Sequence, residues 1–517
     1  MVGPERVMTL EPRDGLGTTM DTLARRFAVE PGTRRVTRRV WLDTYDWRLH
    51  RAGMCASATQ HSTEQESGHE LVVFTADGAS ASQRLPAVRW PSLVDALPPG
   101  PVRDCVSAKV SVRALLPVAE ETLELQRVRL LDANDKIVAL VDVEHPAQDQ
   151  GTPERSLLRL RPLRGYEAEA RRAHRLLDAT GAVTIAPWTT PRDLALASSS
   201  RRPGDYTGKL DVRLDGQAPV GEAVSRILDE LRDHVEINVP GVLEEVDTEC
   251  LHDLRVAVRR SRSVMKLTRS VQPVDLAGPF AAELKWLGGV TTPGRDLDVY
   301  LLGLDEMAGW LVSATPDDLG PLAVHLRRRR RREQRRLAGS LGSARFARLL
   351  DRWKDLIAAS EASAEPLTAD ALAARCLARA DRRVVRLGSS VTAESPATLM
   401  HDLRKRAKEL RYAVEVFASL HDPAVLGRTV GRLKGLQDCL GRFQDSEVQR
   451  AGIRTFAEEM IEAGTSSSAT LLAMGELTAH LQADQDRARA EFGARFADFM
   501  APPNRRRMDA LVAGAGR

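Results

Sequence analysis

The sequence repeats part of itself, and this duplication limits the possible folds more than any other feature. The motif His-Asp-Leu-Arg at His252 recurs at His401, an offset of 149 residues. The pattern Leu-Lys-x-Leu at Leu284 recurs at Leu433 with the same offset, and a later Ala-Arg-Phe match has an offset of 150. Matches in one order at nearly one offset predict two copies of a unit of roughly 150 residues, with about four helices each.

The pattern of hydrophobic residues divides the chain into two regions. A chain of 517 residues is too long for one hydrophobic core, so several domains are expected. Residues 1–195 are predicted to be mostly β, and residues 216–517 to be all-α, with repeats at about 216–365 and 366–505. Residues 196–215 are rich in Pro, Ser, Arg and Gly and are predicted to be a linker. The fold class is therefore an α+β multidomain chain.

Local signals predict individual elements within both regions. Mixed β-branched and polar segments predict strands at Arg38–Trp41, Leu71–Phe74, Lys109–Arg113, Leu123–Leu131 and Ile137–Val143. A helix is expected at Gly165–Ala179. Prolines predict breaks between later helices at Pro240-Gly241, Pro273, Pro293-Gly294, Pro316, Pro366, Pro396 and Pro423.

Composition excludes several classes of function. The formal net charge is only +4, so a site for a polyanion has to come from local clustering of cations. Aromatic residues are 4% of the chain, which disfavours surfaces that stack single-stranded nucleic acid. The five cysteines lack CxxC spacing, which predicts a reduced protein without a zinc site, and no cofactor is expected. No apolar run approaches the roughly 18 residues of a membrane span, so a cytoplasmic protein without a membrane partner is expected.

The repeated helix carries cations along one face. At 100° per residue, the basic residues of the first copy fall within an arc of roughly 80°, beside an apolar stripe of Leu254, Val258 and Met265. The first basic row is His252, Arg255, Arg259, Arg262 and Lys266, and the second basic row is His401, Arg404, Lys408 and Arg411. The second row ends at Glu415, where the first copy has Lys266.

Two interpretations of these rows are open. Like charges three, four and seven residues apart repel each other along a helix, and a chain of phosphates would neutralise them, because arginine binds phosphate bidentately and lysine binds it as a point charge. The alternative is a solvated basic face, or arginine and lysine paired with glutamate on neighbouring helices. Recurrence of the row in both copies favours a binding site for a polyanion.

Further cations lie outside the two rows. Lys285, Arg295 and Lys434 stand near the second repeated motif and are candidates for the same site. Arg327–Arg332 is an unbroken run of six arginines within a helical pattern. Such a run points in all directions around a helix, so part of it is solvated, while the rest can attract a polyanion at long range or bind nucleic acid.

The repeated motifs resemble those of a known family. The segments 252–262 and 401–412, together with 284–298 and 433–445, resemble the two signatures of the conserved histidine α-helical domain, CHAD, over about residues 216–505. The resemblance implies two four-helix bundles about a pseudo-two-fold axis, binding of inorganic polyphosphate in a basic central cavity, and association with polyphosphate granules. It carries the two basic rows, Lys285, Arg295 and Lys434 over as ligands, with Asp296 and Asp445 orienting the basic side chains.

The N-terminal region resembles the CYTH, or triphosphate-tunnel, family through residues 40–53. An antiparallel β-barrel that forms a tunnel is implied. The acidic opening motif of that family is not found, and the late strand reads Leu158-Arg159-Leu160-Arg161 where carboxylates for a metal ion are expected. A degenerate, non-catalytic domain without a metal is therefore expected, with Asp142 and Glu144 as the remaining acidic candidates.

Four functions remain as alternatives from the sequence. The leading hypothesis is a cytoplasmic polyphosphate-binding protein that associates with granules or acts as a scaffold. The enzymatic alternative is a metal-dependent triphosphatase or cyclase in residues 1–195. Nucleic-acid binding through the arginine run and a purely structural role are the others, and the sequence leaves the oligomeric state open.

Overall fold

The computed structural model describes residues 6–10, 15–62, 67–75, 80–86, 88–146, 156–363 and 365–514. The chain divides into two compact units, Met1–Gly208 and Lys209–Arg517. The first unit contains β-strands and short helices, and the second is helical. The expected order, an antiparallel β region followed by an all-α region, is confirmed.

The first unit is built on one antiparallel sheet. Its strands are β1 (Arg6–Leu10), β2 (Ala28–Asp43), β3 (Met54–Ser62), β4 (Ser67–Thr75), β5 (Ser80–Pro86), β6 (Ser92–Leu93), β7 (Ala114–Leu131), β8 (Ile137–Pro146), β9 (Ser156–Pro162) and β10 (Val183–Ile185). Hydrogen-bonded neighbours follow the order β10-β1-β9-β8-β7-β2-β3-β4-β5, and β6 pairs with β7. The helices of this unit are α1 (Gly15–Ala24), α2 (Arg48–Arg51), α3 (Pro101–Val110), α4 (Glu167–Asp178) and α5 (Thr190–Ala197).

The strand predicted at Lys109–Arg113 is wrong. Helix α3 extends to Val110, a turn follows in which Ser111 has φ +56°, and β7 begins at Ala114. Val102, Val106 and Val110 are buried and recur every four residues, which is the spacing of one helix face. This periodicity, together with Pro101 in the first turn, outweighs the β propensity of the valines.

The second unit consists of helices in two consecutive sets. The first set is α6 (Val220–Leu243), α7 (Thr248–Leu267), α8 (Val274–Leu302), α9 (Leu304–Ala308), α10 (Gly320–Leu341) and α11 (Ala344–Glu361). The second set is α12 (Ala369–Gly388), α13 (Ala397–Val416), α14 (Pro423–Glu462), α15 (Ser468–Met500) and α16 (Pro502–Gly514). Helices α6, α7 and α8 begin 149 residues before α12, α13 and α14, so the repeat found in the sequence is also a repeat of structure.

Two of the predicted breaks are absent from the described helices. Helix α6 continues through Pro240, and α8 continues through Pro279 and Pro293. A proline removes one backbone hydrogen bond and bends a helix, at a cost of roughly 3 kcal/mol. Leu287 and Leu297 on either side of Pro293 are buried in the core, and this packing keeps the helix continuous.

Each copy has its own hydrophobic core, and a further core joins them. The core of the first copy includes Leu254 and Leu284, and that of the second includes Leu403 and Leu433, which are the equivalent repeat positions. The shared core contains Leu297 and Leu326 from the first copy with Ile453 and Leu477 from the second. None of the described helices has the length and hydropathy that crossing a bilayer requires.

Candidate polyanion-binding site

The repeated helices α7 and α13 pack against each other in antiparallel directions. Arg260 of α7 is 3.0 Å from Glu415 of α13, and Lys266, further along α7, pairs with Glu409, which lies earlier on α13. The two pairs are equivalent under the repeat, because Arg260 corresponds to Glu409 and Lys266 corresponds to Glu415. The first copy therefore supplies both cations of this contact and the second copy supplies both carboxylates.

Local sequence fixes which face of each helix carries the cations. The Asp247 carboxylate caps α7 by accepting hydrogen bonds from the backbone N–H groups of Glu249 and Cys250. The apolar stripe predicted for α7 is confirmed, since Leu254 and Val258 are buried. The corresponding stripe of α13 is buried too. Burial of the apolar face leaves the basic rows on the adjacent face.

Cations from both copies meet in a central cluster, which consists of Arg255, Arg259, Arg404 and Lys408. Burial, followed by the charges of Arg404 and Arg259, lowers the pKa of Lys408 from 10.5 to about 8. Burial and the charge of Arg259 likewise lower the pKa of Arg255 to about 10. Because Arg259 belongs to the first copy and Lys408 to the second, the two basic rows act on each other at one place.

Several hydrogen-bond donors of the central cluster are unused. The Nε atoms of Arg255, Arg259 and Arg404 are buried and have no hydrogen-bond partner among the described residues. Arg255 Nη1 donates to Thr292 Oγ1 at 2.6 Å. Within the described part of the chain, no carboxylate oxygen lies within 4.0 Å of the charged nitrogens of Arg255, Arg259 or Lys408. A half-buried cation that no carboxylate contacts is unfavourable, and an added anion would relieve this cost.

The two repeated aspartates stand at the edge of the central cluster. Asp445 Oδ1 accepts a hydrogen bond from Arg404 Nη2 at 2.7 Å, so this carboxylate orients a cation as predicted. Burial and the charge of Asp445 raise the pKa of Asp296, although Arg255 and Arg259 act in the opposite direction. The two aspartates, which are 149 residues apart, are therefore close enough to interact.

The remaining candidate ligands of the second copy are His401 and Arg411, which neighbouring side chains hold, and Lys434. His401 Nδ1 is hydrogen-bonded to the buried Gln444 Oε1. Arg411 Nε donates to Glu415 Oε1 at 2.6 Å. Lys434 is exposed and lies outside the central cluster. His401 and Arg411 are thus oriented by contacts that sequence reasoning did not assign.

The remaining candidate ligands of the first copy differ in their surroundings. Arg295 donates to the Thr248 carbonyl at 3.2 Å. Arg262 is exposed and lies beside Gly288. His252 is half-buried, Lys285 is exposed, and Lys266 carries the ion pair described above. Of these residues, Arg295 acts on the central cluster, since its charge contributes to the lowered pKa of Arg255.

Two side chains that contact candidate ligands could not be found from the motifs alone. Thr292 fixes one nitrogen of Arg255, and Gln444 fixes the ring of His401. Gln444 has a signal in the sequence, since it stands 149 residues after Arg295 and a polar residue is kept at that repeat position. Thr292 has no such signal, because Gly441 occupies its equivalent position.

The arginine run divides into half-buried, paired members and exposed members. Arg330 Nε donates to the buried Asp298 at 3.1 Å, and Arg329 pairs with Glu459 while its guanidinium lies over Phe456. Arg327, Arg328, Arg331 and Arg332 are exposed. Part of the run therefore stabilises the packing of α10, and the rest is a solvated basic surface.

The first unit contains a separate cluster of buried charges. Glu144 accepts two hydrogen bonds of 2.7 Å from Arg39, and Arg159 Nε lies 2.9 Å from the same carboxylate. Glu121 accepts a hydrogen bond from Trp41 Nε1 at 2.8 Å and lies 3.4 Å from Arg39. Burial favours the neutral form of Glu144, but Arg159 and Arg39 outweigh it and lower the pKa to about 2. Two arginines and two glutamates thus balance one another inside the sheet.

Asp142 lies in a second arginine pair of the same unit. Arg127 Nε donates to Asp142 Oδ1 at 2.6 Å, and Arg161 also bonds this carboxylate. In the late strand, Arg159 therefore forms an ion pair with Glu144, and Arg161 forms an ion pair with Asp142. Among the described residues, no group of three or more His, Cys, Asp or Glu side chains is arranged to hold a metal ion.

Comparison with known proteins identifies the helical repeat. Residues 226–454 match the family model of the CHAD domain. This segment is a CHAD domain. The match contains both basic rows, both repeated aspartates and all four residues of the central cluster. The expected relationship to the CHAD family is confirmed.

Three solved structures are similar to parts of the chain. The CHAD domain from the plant Ricinus communis has 26% identity, covers 58% of this chain and 98% of that chain, and has a TM-score of 0.49. PptA from Streptomyces chartreusis has 21% identity, covers 54% and 99%, and has a TM-score of 0.43. A candidate adenylyl cyclase from Hippeastrum, described as having a dominant triphosphatase activity, has 10% identity, covers 39% and 99%, and has a TM-score of 0.26. A search of curated proteins finds no match to the sequence.

Proposed function

We propose that the CHAD domain binds inorganic polyphosphate through the central cluster of Arg255, Arg259, Arg404 and Lys408. The observation that carries this proposal is the convergence of cations from both copies at one place where donors remain unused. Neighbouring cations raise the free energy of the empty site, because each disfavours the charged form of the next. A polyanion reverses this effect by supplying acceptors and negative charge together.

The length of the basic rows favours an extended ligand over a single phosphate. Arg255 and Lys266 are eleven residues apart, which corresponds to about 16 Å along a helix. Arg259 and Arg262 lie between them on the same face, and His252 precedes them. A linear chain of phosphates offers charge along the whole row, whereas one phosphate reaches only one end.

The surroundings of the central cluster favour phosphate over bases. Within the described residues, the guanidinium groups of Arg255, Arg259 and Arg404 do not stack on an aromatic ring. Proteins that bind single-stranded nucleic acid without sequence preference usually stack its bases on aromatic side chains. A cluster that offers only charge and N–H donors is suited to a polymer without bases.

The proposal assigns a binding role rather than catalysis to the chain. The buried Arg39 and Arg159 are already neutralised by Glu144, and Arg39 also lies near Glu121. The more exposed arginines, Arg127 and Arg161, pair with Asp142, so none of these groups is available to hold a triphosphate and a metal without rearrangement. A cytoplasmic scaffold at polyphosphate granules fits a protein that binds the polymer and leaves it intact. The absence of phosphate release from tripolyphosphate with Mg²⁺ or Mn²⁺ is the expected result.

The decisive experiment compares two variants of the full chain that lose the same charge. The central triple variant is R259Q/R404Q/K408Q, and the control variant is R226Q/R345Q/R487Q, whose arginines are exposed and each paired with a carboxylate. Titration calorimetry with long-chain polyphosphate is expected to show at least about a 100-fold loss for the central triple, since a charged hydrogen bond contributes roughly 1.5–3 kcal/mol. The control variant should bind within about threefold of the wild type.

Two further measurements separate this outcome from misfolding and from general charge effects. Neutralising mutually repelling cations should preserve or raise the melting temperature of the central triple without ligand. The slope of log affinity against log salt should fall by about 2, because roughly 0.7 counterions are released per contact with a single strand. Equal affinity of the two triples for polyphosphate would refute the proposal, and efficient displacement of polyphosphate by duplex DNA would favour nucleic-acid binding instead.

A further inference from the structure

Helix α12 carries a third basic row, which consists of Arg375, Arg379, Arg382 and Arg386. All four side chains are exposed. Their spacing of four, three and four residues is the same as that of Arg255, Arg259, Arg262 and Lys266 on α7. The third row therefore covers a face of about 60° and a length of about 16 Å.

The third row lacks the carboxylates that its counterpart in the first copy has. Among the described residues, no carboxylate oxygen lies within 4.0 Å of these four guanidinium groups. On α6, the equivalents of Arg379 and Arg382 are Glu230 and Asp233. The equivalent of Arg375 is Arg226, which pairs with Glu222 at 2.9 Å. The same face of the repeat thus carries two carboxylates and one arginine in one copy and four arginines in the other.

A cavity of about 430 Å³ lies beside the third row. Its apolar lining includes Leu267, Leu372 and Cys376, and its cationic lining is Arg375, Arg379 and Arg382. Apolar walls reduce the effective dielectric constant, which strengthens the attraction between these arginines and an anion. No aromatic ring is among the described residues that line the cavity, so stacking of a base has no platform there.

The cavity connects the third row with the first. Leu267, in its lining, directly follows Lys266, the last cation of the first row. Arg383, next to Arg382 on α12, lies 3.7 Å from Glu409, which is also the partner of Lys266. The third row therefore passes close to the place where the first row ends.

We propose that the third row is a second segment of the polyphosphate path, so that a long chain occupies both the central cluster and the face of α12. This inference rests on the proposed function, and it adds a dependence on chain length. A ligand that spans both segments binds the second one intramolecularly, which raises its affinity well above that of either segment alone. A short oligomer reaches only the central cluster.

The test uses the full chain, two probes and three triple variants. The variants are R375Q/R379Q/R382Q, the central triple R259Q/R404Q/K408Q, and the charge-matched control R226Q/R345Q/R487Q, which includes the first-copy equivalent of Arg375. The probes are tripolyphosphate and long-chain polyphosphate, titrated at one salt concentration. The α12 triple is expected to lose at least tenfold in affinity for the long chain and to keep the wild-type affinity for tripolyphosphate, whereas the central triple loses both.

The outcomes distinguish the inference from the proposed function. If the α12 triple binds the long chain as the control variant does, the second segment does not exist, while the central cluster stands. If it loses affinity equally for both probes, the dependence on length is wrong and the inference is overturned. A parallel titration with single-stranded RNA tests for a nucleic-acid surface. If the α12 triple loses affinity for this RNA and not for polyphosphate, the row is such a surface and the inference is likewise overturned. The central triple alone decides the proposed function. The four arginines are exposed, so unchanged melting temperatures are expected for the α12 triple.

Discussion

The low pKa of Lys408 predicts that polyphosphate binding is linked to proton uptake. In the free protein, burial and the charges of Arg404 and Arg259 lower this pKa from 10.5 to about 8. Arg411 acts in the same direction, and Asp445 opposes it. A bound polyanion favours the charged ammonium and returns the pKa toward its ordinary value. Binding therefore takes up a proton in the pH range between the two values.

The size of this effect follows from the two pKa values. If the bound pKa is 10.5 and the free pKa is about 8, Lys408 is mostly charged in both states at pH 7 and mostly neutral only in the free protein at pH 9. Affinity should then fall about tenfold between pH 7 and pH 9, which is about 1.4 kcal/mol. Proton uptake should rise from roughly 0.1 to roughly 0.9 per site over the same range.

Titration calorimetry in buffers of different ionisation enthalpy measures this uptake directly. The matched control is K408R, which places at this position the residue that the first copy has at Arg259 and which stays charged throughout. Any change in the charge of the polyphosphate itself is shared by both proteins. The wild type should lose about tenfold more affinity than K408R between pH 7 and pH 9. Parallel pH profiles for the two proteins would refute the placement of Lys408 among unneutralised cations.

Two further predictions concern stability. E144Q should destabilise the first unit by about 3–5 kcal/mol at neutral pH, because Arg39 and Arg159 would remain buried without their carboxylate. The pKa of Glu144 in the folded protein is about 2. The stability that the Glu144 carboxylate contributes is therefore complete above about pH 4.5 and is lost as the pH falls toward 2. Hydrogen exchange of the strands at pH 7 and at pH 3 checks both points, and an equal effect of E144Q at the two pH values would contradict them. A double-mutant cycle with K266Q and E409Q, measured by urea unfolding, should give a coupling free energy of about 0.2–1 kcal/mol, because the Lys266 side chain is half-exposed. Additive effects of the two substitutions would show that the pair is not formed in solution.

The duplication and the helix faces were predictable because they depend on local spacing. The offset of 149 residues reappears in the starts of three helices, and Leu254 and Leu403 occupy the same buried position in each copy. Periodicity alone decides which side of a helix is apolar, and the basic rows follow from that decision. The meeting of Arg259 and Lys408 was only an expectation, since it depends on how α7 and α13 pack.

The errors arose where tertiary packing overrides a local signal. Pro240 and Pro293 were expected to end helices, yet burial on both sides keeps α6 and α8 continuous. The pairing of Lys266 with Glu409 could not be predicted either. The two residues are 143 positions apart, and only the antiparallel contact of the two copies places them together. The spacing of residues along α7 carries no information about which carboxylate of another helix will contact Lys266.

The charges at the contact between α7 and α13 make the contact surfaces of the two halves of the domain electrostatically different. Two first copies facing each other would oppose Arg260 and Lys266 with the same cations, and two second copies would oppose Glu409 and Glu415 with the same carboxylates. Like charges therefore disfavour the pairing of two identical halves, and opposite charges favour the pairing of unlike halves. A pair of unlike copies is therefore favoured over a homodimer of either half, in which these positions would carry like charges.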